Sequence, residues 1–148
     1  MTQPWERALL LPLATGHGID MGCGHTKIGP FGIDNHEYPG VDLVCDMAHV
    51  PLPSNSQDYI TACHSLEHCA DTTAVLREWH RLLRPGGIVA AIVPNGDLEL
   101  SHILGDSTGA HKSLFTIITL PKFFRYSGFA IDRDLVRGKS LYLLGHKP

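Results

Sequence analysis

The stretch Gly18-Ile19-Asp20-Met21-Gly22-Cys23-Gly24 constrains this chain more than any other. A short apolar-leaning run leads into an acid, and a Gly-x-Gly turn follows two residues later. Glycines at such a turn let backbone approach a ligand closely, because no Cβ intervenes. Set at the end of a strand, the pattern reads as a nucleotide-type binding turn. Seven residues of this kind also occur in ordinary loops, so the rest of the chain has to decide.

The surrounding pattern alternates strands with helices. Pro4 to about Leu11 predicts a short helix with Trp5, Ala8, Leu9 and Pro12 toward a core. Strands are expected at His17–Met21, Phe31–Asp34, Val41–Cys45 and Gln57–Cys63. Asp71 caps a predicted helix that runs to about Leu83, with Val75, Trp79, Leu82 and Leu83 on one face. Arg84-Pro85-Gly86-Gly87 stops it, and Ile88–Val93 is a continuous apolar run suited to the centre of a parallel sheet. Asp97 to Lys112 reads as a polar flap, Leu114 to Tyr126 as partly helical. Phe129–Val136 and Ser140–Leu144 form a predicted hairpin around Arg137-Gly138-Lys139. The expectation is an α/β fold, Rossmann-like, with a mostly parallel sheet and a C-terminal antiparallel hairpin.

A chain of 148 residues suits a single domain over 1–148 with one core. Hydrophobic content of 43% and charged content of 18% exclude a disordered class. A formal charge of −3 gives no general affinity for nucleic acid. None of the four cysteines forms a Cys-x-x-Cys pair, so they read as reduced thiols in a cytoplasmic protein. The apolar run Ala8–Ala14 is too short to span a membrane and reads as part of the fold.

From Gly18 to Asn95 the sequence resembles the class I S-adenosylmethionine-dependent methyltransferases, most closely the small ubiquinone-biosynthesis (type 11) group. Ile19 to Gly24 resembles the first motif, and Gly32-Ile33-Asp34 the acid that ends strand two. Cys45-Asp46-Met47 with Pro51-Leu52-Pro53 resembles the loop after strand three, and Asn55 to Tyr59 the entry to strand four. His64-Ser65-Leu66-Glu67-His68 resembles the start of the next helix, and Leu83 to Gly87 with Val93-Pro94-Asn95 completes the order. The resemblance implies S-adenosylmethionine as cofactor, held by Asp20, Gly22, Cys23, Gly24, Lys27, Asp34, Asn35, Asp46, Met47 and His64. In those roles Asp34 accepts bonds from the ribose hydroxyls, and Asp46 accepts from the adenine amino group. The Met47 backbone reads the ring edge. Asp20 orients the glycine turn, and Lys27 meets the methionine carboxylate.

One departure is large. The family places helices between strands one and two and between strands two and three. Only His25–Pro30 and Asn35–Gly40 are available here, too short for either. A compact form lacking both helices is expected. The gap also argues against a dinucleotide oxidoreductase, whose pyrophosphate needs a helix N-terminus behind the glycines. Strands apolar on both faces would then leave a patch around Ile19, Met21, Ile33, Val41, Leu43 and Val44. Another chain is expected to close it, most simply in a homodimer.

His64, Glu67 and His68 also spell an inverted zinc-protease motif, but that reading needs a long helix. No metal is expected on them. Instead Glu67 and His68 are read as bonding to nearby backbone, while His64 ends strand four and faces the site. His64 and His111 are the candidate bases for an acceptor that arrives protonated. No pattern names the methyl acceptor, and the lack of a substrate domain leads to the expectation of an open site that takes a large or carrier-bound one. The alternatives are a non-catalytic cofactor-binding or regulatory module, and an interaction protein on a degenerate fold. The acids Asp20, Asp34 and Asp46 argue against the last.

Overall fold

The computed structural model describes residues 3–98 and 111–148. Helix α1 (Pro4–Leu10) leads through a 3₁₀ turn, Leu11–Leu13, to strand β1 (Gly18–Met21). Strands β2 (Gly32–Asp34), β3 (Leu43–Val44) and β4 (Gln57–Cys63) follow, then helix α2 (Thr72–Leu82) and strand β5 (Leu83–Pro94). Helix α3 (Thr119–Tyr126) and strands β6 (Ala130–Arg137) and β7 (Ser140–His146) complete the described elements. The seven strands form one sheet in the order β3-β2-β1-β4-β5-β7-β6. Pairings from β3 through β5 are parallel, and β7 runs antiparallel to both β5 and β6. The order reverses between β1 and β4, which places the crevice for a ligand at the carboxyl ends of those strands.

Local chemistry accounts for most of the elements. The Asp71 side chain accepts the Ala74 N–H at 3.0 Å and starts α2. Val75, Leu76, Trp79 and Leu82 then bury one face of that helix against the sheet. The expected break at Arg84–Gly87 lies inside β5, as a bulge. Gln57 pairs with Leu83 and the next partner, Tyr59, pairs with Ile88, with Gly86 at φ +83° absorbing the excursion. In α1 the inward residues are Glu6 and Leu10, whereas Ala8 and Pro12, expected to face the core, are exposed.

Neither 22–31 nor 35–42 contains a helix, as expected for the compact form. The uncovered patch is different from expectation. Ile19, Met21 and Ile33 are fully buried on the face packed by α2. The opposite face of β1 and β2 carries Gly18, Asp20 and Gly32 instead of apolar side chains, because the residues alternate. Tyr59 lies across Gly18 so closely that a Cβ there would sit 2.2 Å from its ring. Ile28, from the turn that replaces the first missing helix, joins Leu10, Ala90, Ile92 and Tyr142 in a second apolar cluster, with Trp5 and Leu9 packed against it. Strands β1 and β2 are therefore sealed within the chain, and the homodimer loses the motive that an exposed patch supplied. Val44, at the sheet edge, stays exposed.

Asp20 holds this arrangement from inside. Its carboxylate accepts the Ile28 N–H at 2.7 Å and the Thr61 hydroxyl at 2.9 Å. Burial pushes its pKa up from 3.8 to about 7, against the pull of those two hydrogen bonds. The folded-state value lies above the unfolded one, so this stabilising contribution is fully present below the unfolded pKa and is lost as pH rises through about 7. Asp20→Asn cannot titrate. Its melting temperature relative to the parent is expected to climb from about pH 5 to pH 8, by an equivalent of at most about 4 kcal/mol. Thermal melts across that range check this, and a constant difference would refute it. Gly18→Ala is expected to lose about 1–3 kcal/mol in urea unfolding, because the methyl group enters the space of the Tyr59 ring.

Candidate functional site

Strand β1 ends at Met21, and Gly22 turns the chain at φ +69°, where a Cβ would lie 2.3 Å from the Cβ of Ser65. Ser65 comes from the turn after β4, and its hydroxyl donates to the Met21 carbonyl at 2.8 Å. Gly24, at φ +54°, has nothing within 4 Å of where its Cβ would be. The tight turn therefore packs on one side and opens on the other, into a cleft of about 870 Å³. The carboxyl ends of β1, β2, β3 and β4 all border this cleft.

Asp34 closes β2 beside the glycines. Its carboxylate accepts the Gly24 N–H at 2.9 Å and the His36 N–H at 3.0 Å. A carboxylate has about four acceptor sites, so roughly two remain. Asn35 lines the same wall. Asp46 accepts the Ala48 N–H at 2.8 Å and keeps its other oxygen, 3.8 Å from a ring nitrogen of His49, mostly exposed. The terminal methyl group of Met47 reaches within 3.7 Å of the Gly22 Cβ position. Among the described lining residues three carboxylates, Asp34, Asp46 and Asp71, face a single ammonium, Lys112. Burial, followed by the nearby carboxylates, raises the Cys45 thiol and pushes Cys69 up to about 11. Both stay neutral at ordinary pH. The cleft is an acidic, non-nucleophilic cradle that suits a ligand carrying positive charge.

Several expected residues lie elsewhere. Asp20 is buried, bonds Ile28 and Thr61, and does not border the cleft. Cys23 is buried, and a Cβ at Gly32 would lie 2.6 Å from its sulfur. Lys27 pairs with Asp42 at 2.7 Å and does not border the cleft. The helix expected to open at His64 is a 3₁₀ turn, Leu66–His68, so His64, Glu67 and His68 do not form one helical face. The Glu67 carbonyl accepts the Lys112 and Ser113 N–H groups at 2.9 and 3.0 Å. The His68 ring packs edge-on against His111, with centroids 4.9 Å apart. The expected flap at Asp97 to Lys112 lies, over 99–110, outside the described residues.

His64 occupies the boundary between this cleft and a second cavity of about 590 Å³. That cavity is bordered by Trp5, Glu6, His64, His111, Arg137 and Lys139. His64 has φ +52°, a left-handed conformation that a non-glycine residue rarely adopts. Its Nε2 lies 2.6 Å from a Glu6 carboxylate oxygen, and its Nδ1 lies 3.9 Å from Glu67. Glu6 drew no functional reading from the sequence, yet it is buried against Cys63 and His64. Sequence reasoning also missed the ring group at the cleft rim, where Tyr38 lies 4.3 Å from His25 and 5.7 Å from His36. The only signal for that group was aromatic side chains within the two turns that replace helices.

Residues 31–91 match the family described as a methyltransferase domain. The demethylmenaquinone methyltransferase of Listeria welshimeri is 36% identical over 80 residues, which is 52% of this chain and 34% of that protein. The chain thus matches about a third of that relative's length. A Thermotoga maritima structure, described as an S-adenosylmethionine-dependent methyltransferase and possible histamine N-methyltransferase, superposes with a TM-score of 0.79. It is 15% identical, with 96% of this chain and 88% of that one covered. An S-adenosylmethionine-dependent methyltransferase from Mesorhizobium loti gives 0.73 at 17% identity, covering 95% of both chains. Residues 31–91 thus resemble the methyltransferase-domain family, and the sheet has the fold seen in these S-adenosylmethionine-dependent methyltransferase structures.

Proposed function

We propose that the chain is a single-domain S-adenosylmethionine-dependent methyltransferase. One observation carries the proposal. The acidic cleft opens at the carboxyl ends of β1 and β2, between two glycines at positive φ and the Asp34 carboxylate. The residues fit the cofactor on their own chemistry. Gly24 leaves room where a side chain would stand, and the acceptor sites left on Asp34 match the two hydroxyls of a ribose. Asp46 has an exposed oxygen to accept an amino group, and Met47 supplies a polarisable wall. Neutral thiols at Cys45 and Cys69 do not compete as nucleophiles for an activated methyl group.

When bound, S-adenosylmethionine supplies a methyl group activated by its sulfonium. The chain's own task is then to align the acceptor and to exclude water. The second cavity, reached across His64, is the proposed acceptor space, and His111 on its wall is the proposed proton acceptor. Arg137 and Lys139 on the same wall favour an acceptor with an anionic or strongly polarised oxygen. The demethylmenaquinone methyltransferase likeness supports a quinone-related acceptor, whose ring oxygens have that character. The cytoplasm is the proposed compartment. Among the described residues no helix is long and apolar enough to cross a membrane. A homodimer is not needed to complete this site.

Titration calorimetry with S-adenosylmethionine and S-adenosylhomocysteine tests the proposal. Both are expected to bind one to one. Asp34→Ala is expected to weaken binding by about 1.5–3 kcal/mol, roughly tenfold to a hundredfold, because a carboxylate that accepts two hydroxyls is lost. Equal affinity in the variant would remove Asp34 from the cofactor site. Binding without turnover on any quinol, phenol or amine acceptor would favour the non-catalytic module.

A further inference from the structure

We propose that Glu6, Cys63 and His64 form a binding site for one divalent cation of the zinc class, open toward the second cavity. None of its three ligands belongs to the glycine turn or to β2, while His64 also borders the cleft of the proposed methyltransferase site.

The geometry is unusual for adjacent residues. In a strand, neighbouring side chains point to opposite faces. Cys63 points to the α1 face, where it packs against the cluster around Leu10 and Ile92. His64 should point away from it. Instead the left-handed backbone at His64 turns the ring back, so that its Nε2 reaches Glu6 on α1. A non-glycine residue held at positive φ costs free energy, and such strain collects at functional sites. Its result here is to bring a thiol, an imidazole and a carboxylate together, with one ligand atom from each, all within 4.8 Å of one another. The Cys63 sulfur lies 3.7 Å from one Glu6 oxygen, and His64 Nε2 lies 2.6 Å from the other.

Charge balance points the same way. Glu6 is 1% exposed, and its hydrogen bonds come from the Gln3 N–H, the Cys63 thiol and His64. Among the described residues it has no lysine or arginine partner. A buried charge needs a paired charge or a metal. At 2.6 Å the Glu6 oxygen accepts from His64 Nε2–H in the metal-free chain, and a bound cation would take the place of that proton.

The donor set selects the cation. Thiolate with imidazole and one carboxylate suits zinc and its neighbours, while magnesium and calcium prefer oxygen alone. Three protein ligands leave a fourth position, as in zinc sites that take water or substrate. Glu6 and His64 border the second cavity, so that position faces the proposed acceptor space. Binding displaces the Cys63 thiol proton and the proton shared by His64 and Glu6, both to solvent.

The test uses the full chain freed of metal by chelation and titrated with cobalt(II). One equivalent is expected to produce the near-ultraviolet charge-transfer band of a cobalt–thiolate bond, and zinc is expected to abolish it by competition. Cys63→Ser should lose the band. Glu6→Gln and His64→Ala should weaken cobalt binding by at least about tenfold to a hundredfold. Cys69→Ser, on the acidic cleft, should keep the band. Zinc should also raise the melting temperature of the parent chain, a readout that does not depend on any variant folding. No band and no zinc-dependent melting shift in the parent would overturn the inference. A band retained by Cys63→Ser, or lost with Cys69→Ser alone, would overturn it too.

Discussion

The buried carboxylate of Asp20 carries much of the architecture. A doubly wound α/β sheet covers its strands with helices on both faces. This chain has too few residues between β1 and β2 to build them. It covers the face with a turn, and the turn is fastened by one bond from the Ile28 N–H to Asp20. Thr61 holds the other oxygen, so the turn, β1 and β4 are locked in one register. The acid is costly to bury, as its raised pKa records. The cost is offset because the fastened turn seals Ile28 into an apolar cluster and fixes the entry to Gly22 and Gly24. Stability and the shape of the cleft therefore depend on the same few atoms.

Much of this was legible in the sequence because the constraints were local. The Asp71 cap, the apolar run Ile88–Val93 and the hairpin around Gly138 depend on neighbours within a few positions. The cleft residues Gly22, Gly24, Asp34, Asn35, Asp46 and Met47 were legible because each ends a strand at the same edge of the sheet. Lys27 was misread for the opposite reason. Its partner, Asp42, comes from a loop whose path no local pattern specifies. The exposed sheet face was misread because apolar residues in β1 and β2 were counted without their alternation. Gly18, Asp20 and Gly32 showed that one face was already small or polar, and the size of Tyr59 showed what could fill it. Glu6 was invisible for a related reason, since a charged residue in a short terminal helix normally faces water.

The two cavities differ in electrostatic character, and the difference fits a division of labour. The cleft beside the glycines has three carboxylates to one ammonium and thiols held neutral. The second cavity has Arg137 and Lys139 on its wall, with Arg137 stacked 4.7 Å above the Trp5 ring. A cationic ligand is favoured in the first and an anionic or oxygen-rich one in the second. His64 stands where the two meet, and its backbone strain keeps the ring at that boundary.

That boundary depends on a helix too short to be stable alone. Seven residues form barely two turns, and isolated helices of that length do not persist in water. The packing of Leu10, with Trp5 and Leu9 beside it, holds α1 on the sheet, and a capping interaction between the Gln3 N–H and Glu6 shapes its first turn. The carboxylate that caps the helix is the one that meets Cys63 and His64. Any ligand bridging those three side chains would therefore bind the helix and β4 together, and the energy gained would appear as helix order. Tying α1 to a polar cluster on the wall of the second cavity makes that wall and the packing of the helix one cooperative unit.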